Sequence, residues 1–176
     1  WQAKNLHAIH SPFLFEFIKK AVYRNSLPAP FNHSFRGQER LLLSILYYFH
    51  FKNIYINSPS KDYKKMIKSY QNLEPETKCF SGKDLENRAH HFDLYILNDL
   101  KSKSEGLRIL KKMNTQKQNF VIIPQLRASK VQLDFFKSLP KERNGFVMLE
   151  FYRFALLIDR KESSGEYFKI RKWGAF

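Results

Sequence analysis

The sequence predicts an α/β fold in which a mostly parallel sheet is covered by helices on both faces. Short β-branched and aromatic runs alternate along the chain with amphipathic stretches of helical period. Several of those runs, such as Tyr95 to Leu97, are apolar without interruption, as strands buried on both faces need to be. The chain closes on runs in tight succession, Phe146 to Phe151 and Phe154 to Arg160 and then Tyr167 to Arg171, which point to an antiparallel edge.

Ser11-Pro12 opens the first helix with a capping hydroxyl and a proline at the first helical position, where the missing N–H costs nothing. Phe13, Leu14, Phe17, Ile18, Ala21 and Val22 follow at helical spacing, up to about Tyr23. Leu27-Pro28-Ala29-Pro30 breaks the chain. A second helix is predicted from about Phe35 to Phe49, with Leu42, Ile45, Leu46 and Phe49 inward and Arg36, Glu39 and Arg40 near its start. Asn53 to Asn57 is the first strand, and a proline turn leads from it to a helix from Lys61 to about Gln71 that buries Met66, Ile67 and Tyr70. Further strands are expected at Thr77 to Phe80, Phe92 to Leu97 and Asn119 to Ile123. Helices are expected at Glu105 to Met113 and at Lys130 to Leu139, the latter ended by Pro140. No repeat or linker interrupts this pattern, so one domain is expected over 1–176, with helices in 1–50 and the sheet in 51–176.

Composition narrows the function classes. With 43% hydrophobic and 16% aromatic residues the chain can bury a proper core, and no apolar run is long enough to cross a bilayer. Cys79 has no second cysteine to pair with, which excludes a disulfide framework or a cysteine metal site and fits a cytoplasmic setting. The net charge of +15 would attract polyanions, RNA first among them. The basic residues are scattered along the sequence, as on a solvated lysine-rich surface, and most aromatics fall at core positions rather than where bases could stack.

The opening Lys4 to Phe17, with His10-Ser11-Pro12-Phe13 at its centre, resembles the signature of a group of bacterial class I S-adenosylmethionine-dependent methyltransferases, O-methyltransferase-like in pattern. Phe92-Asp93-Leu94 and the apolar residues after it are similar to that family's fourth strand, and Leu149 to Arg160 with Tyr167 to Arg171 resemble its closing strands. The resemblance implies a Rossmann-like class I methyltransferase fold with an N-terminal helical extension and S-adenosylmethionine as cofactor. Several positions depart from the family pattern. Its glycine-rich loop is met here by Asn57-Ser58-Pro59-Ser60-Lys61-Asp62, its strand-end aspartate by Asn98 with Asp99 one residue late, and its metal-binding acids by Pro124 and Gln125. One strand-helix unit also has no room before Phe92; in the family that unit ends in the acid that holds the cofactor ribose, and Glu74 and Glu76 are the nearest acids here.

Glycine lets a backbone pass close to a cofactor, whereas Pro59 fixes its own φ, lacks an N–H and biases Ser58 toward extended conformations. Asn98, Pro124 and Gln125 supply no carboxylate cluster for a divalent metal. His7 and His10 precede the helix start, His90 and His91 read as loop residues, and Ser58, Ser60 and Ser81 read as turn or capping serines. No catalytic or metal residue is therefore assigned. The expectation is a degenerate, methyltransferase-like pseudoenzyme that acts by binding or scaffolding a partner. One alternative is an active methyltransferase whose unusual pocket uses Asn57, Ser58, Ser60, Asn98 and Asp99 for the cofactor; another is a basic RNA-binding module.

Overall fold

The computed structural model describes residues 11–23, 27, 28, 31, 35, 37–86, 91–113, 118–142, 145–151, 153–159 and 166–170, without the side chains of 83 and 140–142. The expectations placed on residues 4–10, Ala29, Pro30, Arg36, His90, Tyr152, Arg160 and Arg171 lie outside the described residues.

Helix α1 (Pro12–Phe17) starts as its sequence requires, with Ser11 Oγ accepting from the Leu14 N–H at 3.5 Å. It continues into a π-wound segment, Ile18–Tyr23. Ser44 of α2 (Gly37–Phe49) donates its hydroxyl to the Ala21 carbonyl of that segment at 2.8 Å, so a buried acceptor in irregular helix is satisfied from outside. At the end of α2, Phe49 packs among Phe13, Phe17, Tyr48, Phe51 and Phe120 with ring centroids between 4.5 and 6.1 Å away. These aromatics fasten the helical extension to the sheet.

The remaining elements are β1 (Asn53–Ile56), α3 (Lys61–Leu73), β2 (Lys78–Ser81), a 3-10 turn (Gly82–Glu86), β3 (Leu94–Ile96), α4 (Lys103–Lys111), β4 (Phe120–Ile123), α5 (Lys130–Glu142), β5 (Phe146–Phe151), β6 (Phe154–Asp159) and β7 (Glu166–Ile170). The seven strands form one sheet in the order β2-β1-β3-β4-β6-β5-β7. Neighbours pair in parallel from β2 to β4, β6 runs antiparallel to both β4 and β5, and β7 lies parallel to β5. The fold is thus the Rossmann-like, mostly parallel arrangement expected, with its antiparallel element on the C-terminal side. Only the 3-10 turn is described between β2 and β3, so β2 is a sheet edge and the strand-helix unit absent from the sequence pattern is absent among the described residues.

Alternation along the strands divides the core in two. Ile54, Ile56, Leu94, Ile96, Phe120 and Ile122 face α1, α2 and α3, whereas Tyr55, Tyr95, Val121, Ile123 and Met148 face α4 and α5. At the amino ends of the strands, the Asp93 carboxylate accepts from the backbone N–H of Lys52 at 3.1 Å and of Asn53 at 2.9 Å, tying β1 to β3. The aspartate of the Phe-Asp-Leu pattern is therefore a structural clamp.

Helices α4 and α5 depart from their expected bounds. Helix α4 begins at Lys103, two residues early, because Ser102 accepts from the Glu105 N–H at 3.1 Å and caps it there. Helix α5 runs past Pro140 to Glu142; the proline denies the Phe136 carbonyl its usual N–H donor but leaves the helical path intact for the last two residues.

Helix α4 meets α5 through Gly106, where an added Cβ would stand 2.6 Å from the fully buried Phe135 ring. A Gly106→Ala change should gain about 1 kcal/mol of helix propensity and lose about 1–3 kcal/mol to overpacking. Denaturant unfolding of this variant is expected to show a net loss of stability, and a net gain would mean that the helices can separate without cost.

Candidate functional site

In an open α/β sheet, ligands bind outside the carboxyl ends of the strands, at the point where successive connections leave in opposite directions. From β1 the chain passes to β2 on one side, and β3 lies on the other, so that point falls between β1 and β3. The loops leaving these strands are Asn57–Ser60 and Leu97–Lys101, and they hold all the residues singled out in the sequence for cofactor contact.

The structure brings Asn57, Ser58 and Asn98 together. The Asn98 backbone N–H donates to Asn57 Oδ1 at 2.7 Å, and Asn98 Nδ2 donates to the Ser58 carbonyl at 2.8 Å. Asn98 is only 7% exposed. These bonds tie the exits of β1 and β3 together. Asn57 Nδ2 reaches Glu105 Oε1 at 3.5 Å, while Glu105 Oε2 accepts from the Lys101 N–H at 2.8 Å. Ser60 stands apart from this group: its hydroxyl accepts from the Tyr63 N–H at 3.4 Å and caps α3. Asp99 is exposed, beside Asn98, with φ at 52° in the left-handed region that side chains seldom adopt outside turns.

The same stitching continues along the rim. Gln132 of α5, itself 3% exposed, donates from Nε2 to the carbonyls of Leu97 at 3.3 Å and Pro124 at 2.9 Å, joining the exits of β3 and β4. Beyond Gln125, which also has positive φ (50°), Arg127 pairs with Glu150 of β5 at 2.5 Å, and the Tyr167 hydroxyl of β7 donates to the other Glu150 oxygen. Glu150 is 5% exposed, so Arg127 and Tyr167 are what make a buried carboxylate tolerable there. Burial pushes the Tyr167 hydroxyl well above its ordinary range, and the neighbouring carboxylate adds to the rise.

Glu74 and Glu76 do not serve this rim. Both precede β2, at the opposite end of the sheet, where Glu74 meets His50 Nδ1 at 2.7 Å and Glu76 meets Lys52 Nζ at 2.7 Å. The acid that follows the carboxyl end of β2 is Asp84, which accepts from the Ser81 N–H at 2.8 Å. Sequence reading missed Asp84, Glu105 and Gln132. For Glu105 a signal was present, since Ser102-x-x-Glu105 has the form of a capping box. His91 is exposed, as a loop histidine should be. Among the described residues, no three His, Cys, Asp or Glu side chains gather at a spacing suited to a metal ion, and no helix is long and apolar enough to cross a membrane.

No protein-family model matches the chain, and no curated protein matches it. Solved structures with a similar chain path include one from Staphylococcus aureus provisionally described as a caffeoyl-CoA O-methyltransferase, at 16% identity and TM-score 0.45, covering 88% of this chain and 94% of that one. Others are the ribosomal protein L11 methylase of Lactobacillus delbrueckii subsp. bulgaricus, at 14% identity and TM-score 0.38 over 73% and 81% of the two chains, and human N-acetylserotonin methyltransferase in complex with SAM, at 12% and 0.37 over 84% and 65%. Likeness at this level concerns the scaffold and says nothing about activity.

The rim ties have a measurable weight. A Gln132→Leu change would keep much of the side-chain volume but leave the Leu97 and Pro124 carbonyls without their partner, a loss expected at about 1–3 kcal/mol. Urea unfolding should show this loss with little change in m-value. An unchanged midpoint would mean that water replaces the amide at no cost.

Proposed function

We propose that this chain is a methyltransferase-like protein that no longer binds S-adenosylmethionine and acts by binding or scaffolding rather than by catalysis. The observation that supports this reading is the pair of hydrogen bonds by which Asn98 satisfies Asn57 Oδ1 and the Ser58 carbonyl across the β1–β3 crevice. A cofactor seated there needs donors and acceptors from these loops. Asn57 Oδ1 and the Asn98 N–H are already spent on each other, the Asn98 side-chain amide is spent on the Ser58 carbonyl, and Pro59 brings no N–H at all. The residues present therefore do not fit the cofactor.

Opening the crevice would break two short hydrogen bonds, at about 1–3 kcal/mol, which weakens any ligand by roughly one to two orders of magnitude in Kd. Asp84, just beyond the end of β2, and Glu105, which meets Asn57, already accept backbone N–H groups. The competing reading, an active methyltransferase with an unusual pocket built on Asn57, Ser58, Asn98 and Asp99, would need Asn57, Ser58 and Asn98 to let go of one another on cofactor binding.

Calorimetric titration with S-adenosylmethionine and S-adenosylhomocysteine decides between them. The expected result is no binding tighter than about millimolar. Micromolar affinity for either compound would overturn the proposal and restore the enzyme reading. An Asn98→Asp variant, which returns the family's acid to the strand end, sets its carboxylate against the Ser58 carbonyl. It is expected to lose about 1–3 kcal/mol of stability at neutral pH, seen as a lower Tm, without gaining cofactor affinity.

A further inference from the structure

Helix α3 carries its charge in one place. Tyr63, Met66, Ile67 and Tyr70 are its buried residues, and Lys61, Lys64, Lys65 and Lys68 are exposed. With 3.6 residues per turn, each set falls within an arc of about 100°, and the two arcs lie on opposite sides of the helix. Asp62 and Ser69 flank the lysine stripe without entering it. Glu39 of α2 and Asp62 are the acids that bear on the start of the helix, through Tyr63.

Among the described residues, none of these four lysines makes an ion pair, whereas Lys20, Lys52, Arg108, Lys112 and Arg127 all do. The stripe also works against its own helix, because 61/65, 64/68, 61/64 and 65/68 are like-charge pairs at the spacings where side chains meet. Helix α5 shows the ordinary arrangement by contrast, with Asp134 placed between Lys130 and Lys137 on its exposed face. A solvated surface gains nothing from concentrating lysines on one stripe. An anionic partner does.

We propose that the outer face of α3 binds the phosphodiester backbone of RNA, without regard to sequence. The stripe extends about 10 Å along the helix, the length over which one strand of a duplex presents about three phosphates. Lysine ammonium groups on flexible stems suit phosphates as point charges rather than as a bidentate grip. Base reading is not provided for, since Tyr23 is the only large hydrophobic exposed among the described residues and it lies on another element. The same fact favours RNA over a membrane surface. An interfacial helix must offer an apolar face to the lipid, and here that face is spent in the core.

The test is fluorescence anisotropy of a short labelled single-stranded RNA over a salt series, together with sedimentation against phosphatidylserine vesicles. The wild-type chain should bind RNA at low salt with a steep salt dependence. Replacing Lys61, Lys64, Lys65 and Lys68 together by Gln should weaken binding by about tenfold or more and flatten the slope of log K against log salt by about 3. Circular dichroism should show that this variant keeps its fold with an equal or higher Tm. A control replacing the exposed Lys78, Lys111, Lys130 and Lys137 by Gln removes the same charge and should bind within about twofold of wild type. Equal losses in the two variants, no RNA binding at low salt, or binding to vesicles but not to RNA would each overturn the proposal. The outcome is independent of cofactor titration, so failure here leaves the reading of the rim untouched.

Discussion

The carboxyl rim of the sheet is tied together by buried polar side chains. Asn57 and Asn98 join β1 to β3, Gln132 joins β3 to β4, and Arg127, Glu150 and Tyr167 carry the chain of contacts to β5 and β7. Strand exits leave backbone carbonyls and N–H groups without ladder partners, and an open α/β sheet gathers several such exits at one edge. Something must satisfy them. In a ligand-binding sheet, part of that demand is left to the ligand and to water. Here it is met from within.

This constraint shapes what surrounds it. Asn98 is buried because both its amide and its backbone N–H have partners at close range. Gln132 enters an otherwise apolar interface between α5 and the sheet for the same reason. Asp99 and Gln125, each next to a tied residue, take left-handed backbone conformations, so the turns bend sharply just where the ties are made. A rim built this way gains rigidity, since several of its polar atoms meet a neighbour across the strand ends.

Much of the scaffold was legible in the sequence because it rests on short-range rules. Ser11 and Ser60 are read as caps from their own few neighbours, and the strands from short apolar runs such as Tyr95 to Leu97; Ser102, a cap of the same kind, was passed over. The missing strand-helix unit was legible too, from the space lacking before Phe92. Partnerships across the fold were not. Nothing near Gln132 announces that its amide serves two carbonyls, one of them 35 residues away, and nothing near Glu150 announces Arg127 and Tyr167. Glu74 and Glu76 misled for a related reason. They stand next to β2 in sequence but at its amino end, and an acid matters to the rim only at the carboxyl end, where Asp84 sits.

The same economy of acids explains where the positive charge ends up. There are 16 Asp and Glu against 31 Lys and Arg, and the fold draws many of the acids into fixed tasks. Asp84, Asp93 and Glu105 accept backbone N–H groups, Glu150 serves the rim, and Glu16, Glu76 and Glu86 are held by lysine or arginine. Lys112 and Arg108 hold the Glu86 carboxyl below the usual range even at the surface. An acid committed to a backbone clamp cannot also neutralise a lysine on a distant helix. The closure of the strand ends and the bare lysine face of α3 are thus two sides of one allocation, in which few carboxylates are spent on architecture and the excess cations gather on the surface that architecture leaves unpaired.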